Sequence, residues 1–136
     1  MAQVDMSKLH LLVVDDVLYT RQLITRVLNE VNTGMISNAA DGYEALAVIR
    51  EEKWQVDAVL LDLEMPKMNG YAFIEKMRSE LEPPLSETPI IVISGHSDDE
   101  AITALHELGI TLFLLKPISK AQLVSRVYSA VKHKFE

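Results

Sequence analysis

Ala58-Val59-Leu60-Leu61-Asp62 is four apolar residues in succession, stopped by a carboxylate. A strand alternates its side chains between two faces, so an unbroken apolar run has no face to offer water. Both faces must then be covered, as they are when helices sandwich a parallel sheet. With Val56 before it, this run reads as a buried strand over Val56 to Leu61. Three others share its character: Leu9 to Val14, Pro89 to Ser94 and Thr111 to Leu115. Met35-Ile36-Ser37-Asn38-Ala39 is more mixed and suits a sheet edge.

Between these runs lie stretches of helical period with start signals. Asp41-Gly42-Tyr43-Glu44 offers a carboxylate to cap the second helix, and Ser97-Asp98-Asp99-Glu100 and Ser119-Lys120-Ala121-Gln122 both match the reciprocal capping box. Leu123, Val127 and Val131, with Val124 and Tyr128, recur at helical spacing, as do Ala101, Ala104, Leu105 and Leu108. Both stripes read first as core packing. Leu81 to Thr88, with Pro83 and Pro84, reads as a surface loop rather than a domain linker. Strand and helix alternate five times, which predicts an α/β fold with a parallel sheet.

Composition narrows the function classes. A chain of 136 residues suits one domain. Thirteen basic against twenty acidic residues give a net charge of -7, a poor balance for gripping nucleic acid, so no direct nucleic-acid contact is expected. The absence of Cys excludes disulfides, thiolate metal sites and a Cys nucleophile. The apolar runs are too short to span a bilayer, and Met1 to Lys8 lacks a secretory pattern. No membrane association is expected, and the cytoplasm is the default location.

Ligands of open parallel sheets bind beyond the C-terminal ends of the strands. At those ends this sequence places Asp15-Asp16, Asp62, Ser94 and Lys116-Pro117. Each alone has a plain explanation: an acidic pair caps a helix, an Asp closes a turn, a Ser or a Lys-Pro simply meets solvent. Together they put three carboxylates, a hydroxyl and an ammonium on one edge. Neighbouring carboxylates raise one another's pKa, and a hard cation such as Mg²⁺ relieves that repulsion. Lys116 offers a point charge, and Ser94 a hydrogen bond to an oxygen of a transferring phosphoryl group. A carboxylate nucleophile, a metal and a lysine suit in-line phosphoryl transfer.

These motifs resemble the receiver domains of response regulators in two-component signalling. Leu9 to Asp16 is similar to the family's opening strand and acidic pair, and Val59 to Gly70, with Met65-Pro66 and the closing Gly70, to its phosphorylation loop. Pro89-Ile90-Ile91-Val92-Ile93-Ser94-Gly95 resembles the strand carrying the Ser/Thr switch, and Leu114-Leu115-Lys116-Pro117-Ile118 the Lys-Pro signature. The resemblance implies a flavodoxin-like (βα)5 doubly wound sheet of order 2-1-3-4-5. It sets out a receiver domain over residues 9–134 after an N-terminal extension, residues 1–8. It makes Asp62 the phosphoacceptor. Mg²⁺ would be held by Asp15 through water, by Asp16 directly, by Asp62 and by the Glu64 backbone carbonyl. Ser94 and Lys116 would contact the phosphoryl group, with Ser94 and Phe113 as switch residues. Glu64 and His96 resemble the positions that tune phosphoryl lifetime.

The implied function is transfer of phosphate from a histidine kinase or phosphotransfer protein to Asp62. This would switch a surface on the fourth helix, fifth strand and fifth helix that meets a downstream protein, an output domain or a second copy of the chain. No enzymatic turnover is expected beyond self-phosphorylation and autodephosphorylation. Phe113 lacks the hydroxyl found on many switch residues, and Thr111-Leu112 makes the fifth strand unusually apolar. Two alternatives stand beside this reading. An aspartate-nucleophile phosphatase would use Asp62-Leu63-Glu64, but in such enzymes the nucleophile lies on the first strand. An unphosphorylated scaffold would not need the full set of acids, Ser94 and Lys116.

Overall fold

The structure, a computed structural model, describes residues 4–51, 55–95 and 99–136. Five strands and five longer helices alternate along it: β1 His10–Val14, α1 Leu18–Glu30, β2 Met35–Ala39, α2 Gly42–Glu51, β3 Ala58–Asp62, α3 Gly70–Glu80, β4 Ile90–Ser94, α4 Asp99–Glu107, β5 Leu112–Leu115 and α5 Lys120–Val131. All strand pairs are parallel, in the order β2-β1-β3-β4-β5. This is the doubly wound flavodoxin-like arrangement. After β1 the chain goes to one side, and after β2 it crosses to the other. That reversal opens a crevice at the C-terminal ends of β1 and β3.

The alternation along each buried strand divides the core in two. Leu12, Val14, Val59, Leu61, Ile90 and Val92 pack on one face of the sheet with Leu46, Phe73, Ile74, Met77 and Leu105 of α2, α3 and α4. Leu11, Val13, Ala58, Leu60, Ile91 and Ile93 pack on the other with Ile24, Leu28, Leu123 and Val127 of α1 and α5. Every residue of β1, β3 and β4 is buried, as two covered faces require.

β5 is less buried than its unbroken apolar run suggests, in keeping with its place at the edge of the 2-1-3-4-5 order. It is a sheet edge, and its residue Leu115 is 43% exposed. An apolar run fits an edge as well as a centre, so periodicity alone does not separate the two. Val4 and Met6, within the segment set apart as an extension, are buried beside Leu9 in the α1–α5 half of the core. Asp5 caps a short 3-10 turn over Met6–Lys8 by accepting from Ser7 N–H.

Helix ends follow the sequence signals where they are described. Asp41 Oδ1 accepts from Glu44 N–H at 2.9 Å, and Ser119 Oγ from Gln122 N–H at 3.1 Å. Asn69 caps α3 through Ala72 N–H at 2.9 Å. The Ser97-Asp98 part of the third cap lies outside the described residues. The Leu81–Thr88 loop is pinned by Arg78 of α3, whose Nη1 donates to the Ser86 and Thr88 carbonyls at 2.8 Å each.

Candidate functional site

Asp15 and Asp16 follow β1 directly. The Asp15 amide donates to the Ala39 carbonyl at 3.1 Å, continuing the β1–β2 pairing by one residue. Its Oδ1 accepts from Val17 N–H at 2.9 Å, so this carboxylate also holds the start of α1. Asp15 is 1% exposed, yet among the described residues its Oδ2 has no hydrogen-bond partner. The Lys116 ammonium stands 3.6 Å from that oxygen, an ion-pair distance rather than a hydrogen bond.

Asp62 is the last residue of β3 and is 5% exposed. Its Oδ1 accepts a long bond from Glu64 N–H at 3.3 Å and lies 3.6 Å from Lys116 Nζ. Lys116 is set in place by its own amide, which donates to the Ser94 carbonyl at 2.9 Å. The side-chain cluster therefore draws on the ends of β1, β3, β4 and β5. Carboxylate oxygens of Asp15, Asp16 and Asp62 lie within 4.8 Å of one another, with Asp15 and Asp62 buried and Asp16 exposed.

Three acids against one ammonium is an unbalanced site. Burial and then the neighbouring charge of Asp15 push the Asp62 carboxyl up to about 6, with Asp16 adding to the push. The Glu64 amide and Lys116 pull the other way and do not win. A buried carboxylate oxygen without a donor and two more carboxylates within reach form the donor set that a hard divalent cation takes. The residues present therefore fit Mg²⁺.

The remaining residues singled out from sequence divide by position. Ser94 ends β4 and is buried. Glu64 is exposed beside the site, with its amide on Asp62. Phe113 is half-buried on β5 and lines a small cavity of about 30 Å³ with Ile102, Leu105, His106, Ile110 and Thr111. His96 lies outside the described residues.

The loop after Asp62 is closely packed. Leu63, Met65 and Met68 are buried, and Lys67 takes a left-handed φ of 67° with its ammonium 3.6 Å from Asp41 Oδ2. The Gly70 amide donates to the Leu63 carbonyl at 2.9 Å, and a Cβ on Gly70 would stand 2.7 Å from the Leu63 Cα. Only glycine permits that approach. A residue that sequence reading passed over is Arg21, whose Nη1 donates to the Asp15 carbonyl at 2.6 Å. Its one sequence signal is a cation in the first turn of a helix, where the helix dipole favours anions.

An acidic cluster at the switch point of a doubly wound parallel sheet defines a class of α/β ligand-binding proteins. Within that class, the family model for the response regulator receiver domain matches residues 11–128, and the chain belongs to that family. It is thus a receiver domain of two-component signalling.

Among curated relatives, the protein named "Probable transcriptional regulator ycf27" of Porphyridium aerugineum is 37% identical over 93% of this chain and 50% of its own length. A protein-glutamate methylesterase/protein-glutamine glutaminase of Geobacter sulfurreducens is 38% identical over 82% of this chain and 29% of its own. The chain thus spans half the length or less of these curated relatives. Among solved structures, a response regulator receiver domain protein from Clostridium thermocellum superposes with a TM-score of 0.79 at 28% identity, covering 93% of this chain and 96% of that one. The CheX-CheY-BeF3-Mg complex from Borrelia burgdorferi matches with a TM-score of 0.79 at 27% identity, covering 89% and 87%.

Proposed function

We propose that this domain accepts a phosphoryl group on Asp62 in a Mg²⁺-dependent reaction and changes a protein-binding face in response. The observation that carries the reading is the convergence of Asp15, Asp16 and Asp62 with Lys116 3.6 Å from two of them. The donor is a phosphohistidine on a histidine kinase or phosphotransfer protein: its N–P bond breaks as an Asp62 oxygen bonds to phosphorus. Glu64 N–H and Lys116 both face Asp62 Oδ1 and hold the carboxylate in place for attack. Magnesium, when bound, supplies positive charge to the phosphoryl oxygens and cancels the mutual repulsion of the acids.

Asp16 and Asp62 would hold the metal, with Asp15 acting through water and the Glu64 carbonyl completing the protein ligands. Lys116 exchanges its carboxylate contacts for a phosphoryl oxygen, and Ser94 donates to another. Glu64, exposed beside the loop, and His96 set how long the phosphate lasts. The work on Asp62 is self-phosphorylation and autodephosphorylation rather than turnover of a separate substrate.

The output runs through α4, β5 and α5. Supporting this face are the half-buried Phe113 ring, the cavity around it, and the exposed Leu115 and Tyr128. A downstream protein, an output domain or a second copy would dock there. No helix among the described residues is long and apolar enough to cross a membrane, and we place the domain in the cytoplasm. The test is labelling by acetyl phosphate, with and without Mg²⁺, of the parent and of Asp62→Asn. Stoichiometric, Mg²⁺-dependent labelling of the parent alone is expected; an unlabelled parent would remove the proposal.

A further inference from the structure

We propose that Arg21 is a positioning residue for the metal site, holding the peptide between Asp15 and Asp16 so that the Asp16 carboxylate faces Asp62. This rests on the Mg²⁺-dependent reading above. The three acids are not held alike. Asp15 is fixed by its amide on Ala39, its Oδ1 on Val17 and the burial of its side chain. Asp62 is fixed by its place in β3 and by the Glu64 amide. Asp16 is exposed, and among the described residues no hydrogen bond or salt bridge holds its carboxylate. What its carboxylate can reach is therefore governed by where the backbone places it.

The peptide unit that leads into Asp16 begins with the Asp15 carbonyl. The half-buried Arg21 guanidinium grips that oxygen at 2.6 Å, the short distance of a charge-assisted bond. Arg21 sits one turn into α1, its own amide on the Val17 carbonyl at 3.1 Å. The grip thus ties the acidic loop to the helix that follows it.

A role in helix stability alone does not explain this residue. Val17, the N-cap of α1, gives no side-chain cap, and the first turn contains no acid. A cation there opposes the helix dipole, and a neutral residue would suit the helix better. Charge alone also gives the opposite sign to positioning. A guanidinium beside an acidic cluster repels an incoming dication, so a bystander Arg21, once neutralised, would let Mg²⁺ bind more tightly. If Arg21 orients Asp16, its loss weakens Mg²⁺ binding instead. Removing a group that orients a metal ligand typically costs roughly tenfold or more in affinity.

The experiment is Mg²⁺ titration by calorimetry of the full chain as parent, Arg21→Met and Arg21→Lys. Acetyl phosphate labelling is followed as a function of Mg²⁺ on the same samples. Arg21→Met is expected to bind Mg²⁺ about tenfold more weakly, with the labelling rate at saturating Mg²⁺ falling by less than the affinity. Arg21→Lys, which keeps a charge and one donor to the carbonyl, is expected to fall between. Unchanged or tighter Mg²⁺ binding in a folded Arg21→Met overturns the inference. If Arg21→Met does not fold by circular dichroism, Arg21→Lys decides: parental affinity overturns the inference, and weakening supports it. A parent that neither binds Mg²⁺ nor labels fails the functional reading itself, a result distinct from either.

Discussion

Two aspartates bracket β3, and they live in opposite conditions. Asp57, one residue before the strand, is satisfied on every side. Its Oδ2 accepts from His10 N–H at 2.8 Å, its Oδ1 meets Lys134 Nζ at 2.7 Å, and its amide donates to the His10 carbonyl at 2.7 Å. Asp62, at the other end, has one long hydrogen bond, an ammonium at 3.6 Å and two competing carboxylates. Five residues apart, the same side chain is a structural link at one end of the sheet and a poorly satisfied group at the other. Local rules are broken where a protein acts on something else, and satisfied where it only holds itself together. The frustrated end is the one to which the functional reading assigns a metal and a phosphoryl group.

Exchanging the two carboxylates for amides gives the largest expected contrast. Asp62→Asn abolishes acetyl phosphate labelling. Asp57→Asn labels as the parent does but loses about 1–3 kcal/mol of stability, because it weakens a partly buried hydrogen-bonded charge. Labelling and urea unfolding on both variants check this. Loss of labelling in Asp57→Asn would erase the distinction between the two ends.

The second contrast concerns stability without metal. The Asp62 carboxyl sits at about 6 in the fold against 3.8 as its ordinary value. A raised acid binds its proton more tightly folded than unfolded, so it costs stability as pH rises from the unfolded value through the folded one. In EDTA, Asp62→Asn is therefore expected to gain about 1–3 kcal/mol at pH 7.5, and clearly less at pH 4. Urea midpoints at the two pH values measure it. A variant less stable than the parent at pH 7.5 would mean that the acids do not repel as placed.

Most of this layout was legible in the sequence. Unbroken apolar runs marked the covered strands, and the polar residues that stop them marked the edge where Asp15, Asp16, Asp62 and Lys116 gather. Less legible was whatever depends on neighbours distant in sequence. That β5 is an edge follows from the 2-1-3-4-5 order and not from its own residues, since a run of Leu and Phe reads the same at an edge as at a centre. Val4 and Met6 are buried in the α1–α5 half of the core, which exists only once the chain has folded. The Arg21 contact is a helix side chain reaching back to a carbonyl six residues earlier, and helical spacing says nothing about loop carbonyls.

The smallest expected effect returns to the satisfied end. Lys134→Met removes the ammonium from Asp57, but this lysine is substantially exposed and Asp57 keeps its His10 bond. A loss of about 0.5 kcal/mol or less is expected, with labelling unaffected. Urea unfolding checks the first and acetyl phosphate the second.

The most direct test of the central claim is to locate the phosphoryl group. Borohydride reduction of the acetyl phosphate-labelled chain converts an acyl-phosphorylated aspartate into homoserine, and peptide sequencing by mass spectrometry reads its position. Homoserine at position 62, dependent on Mg²⁺ and acetyl phosphate, is the predicted result. Homoserine at position 57, 15 or 16 with Asp62 intact would contradict it.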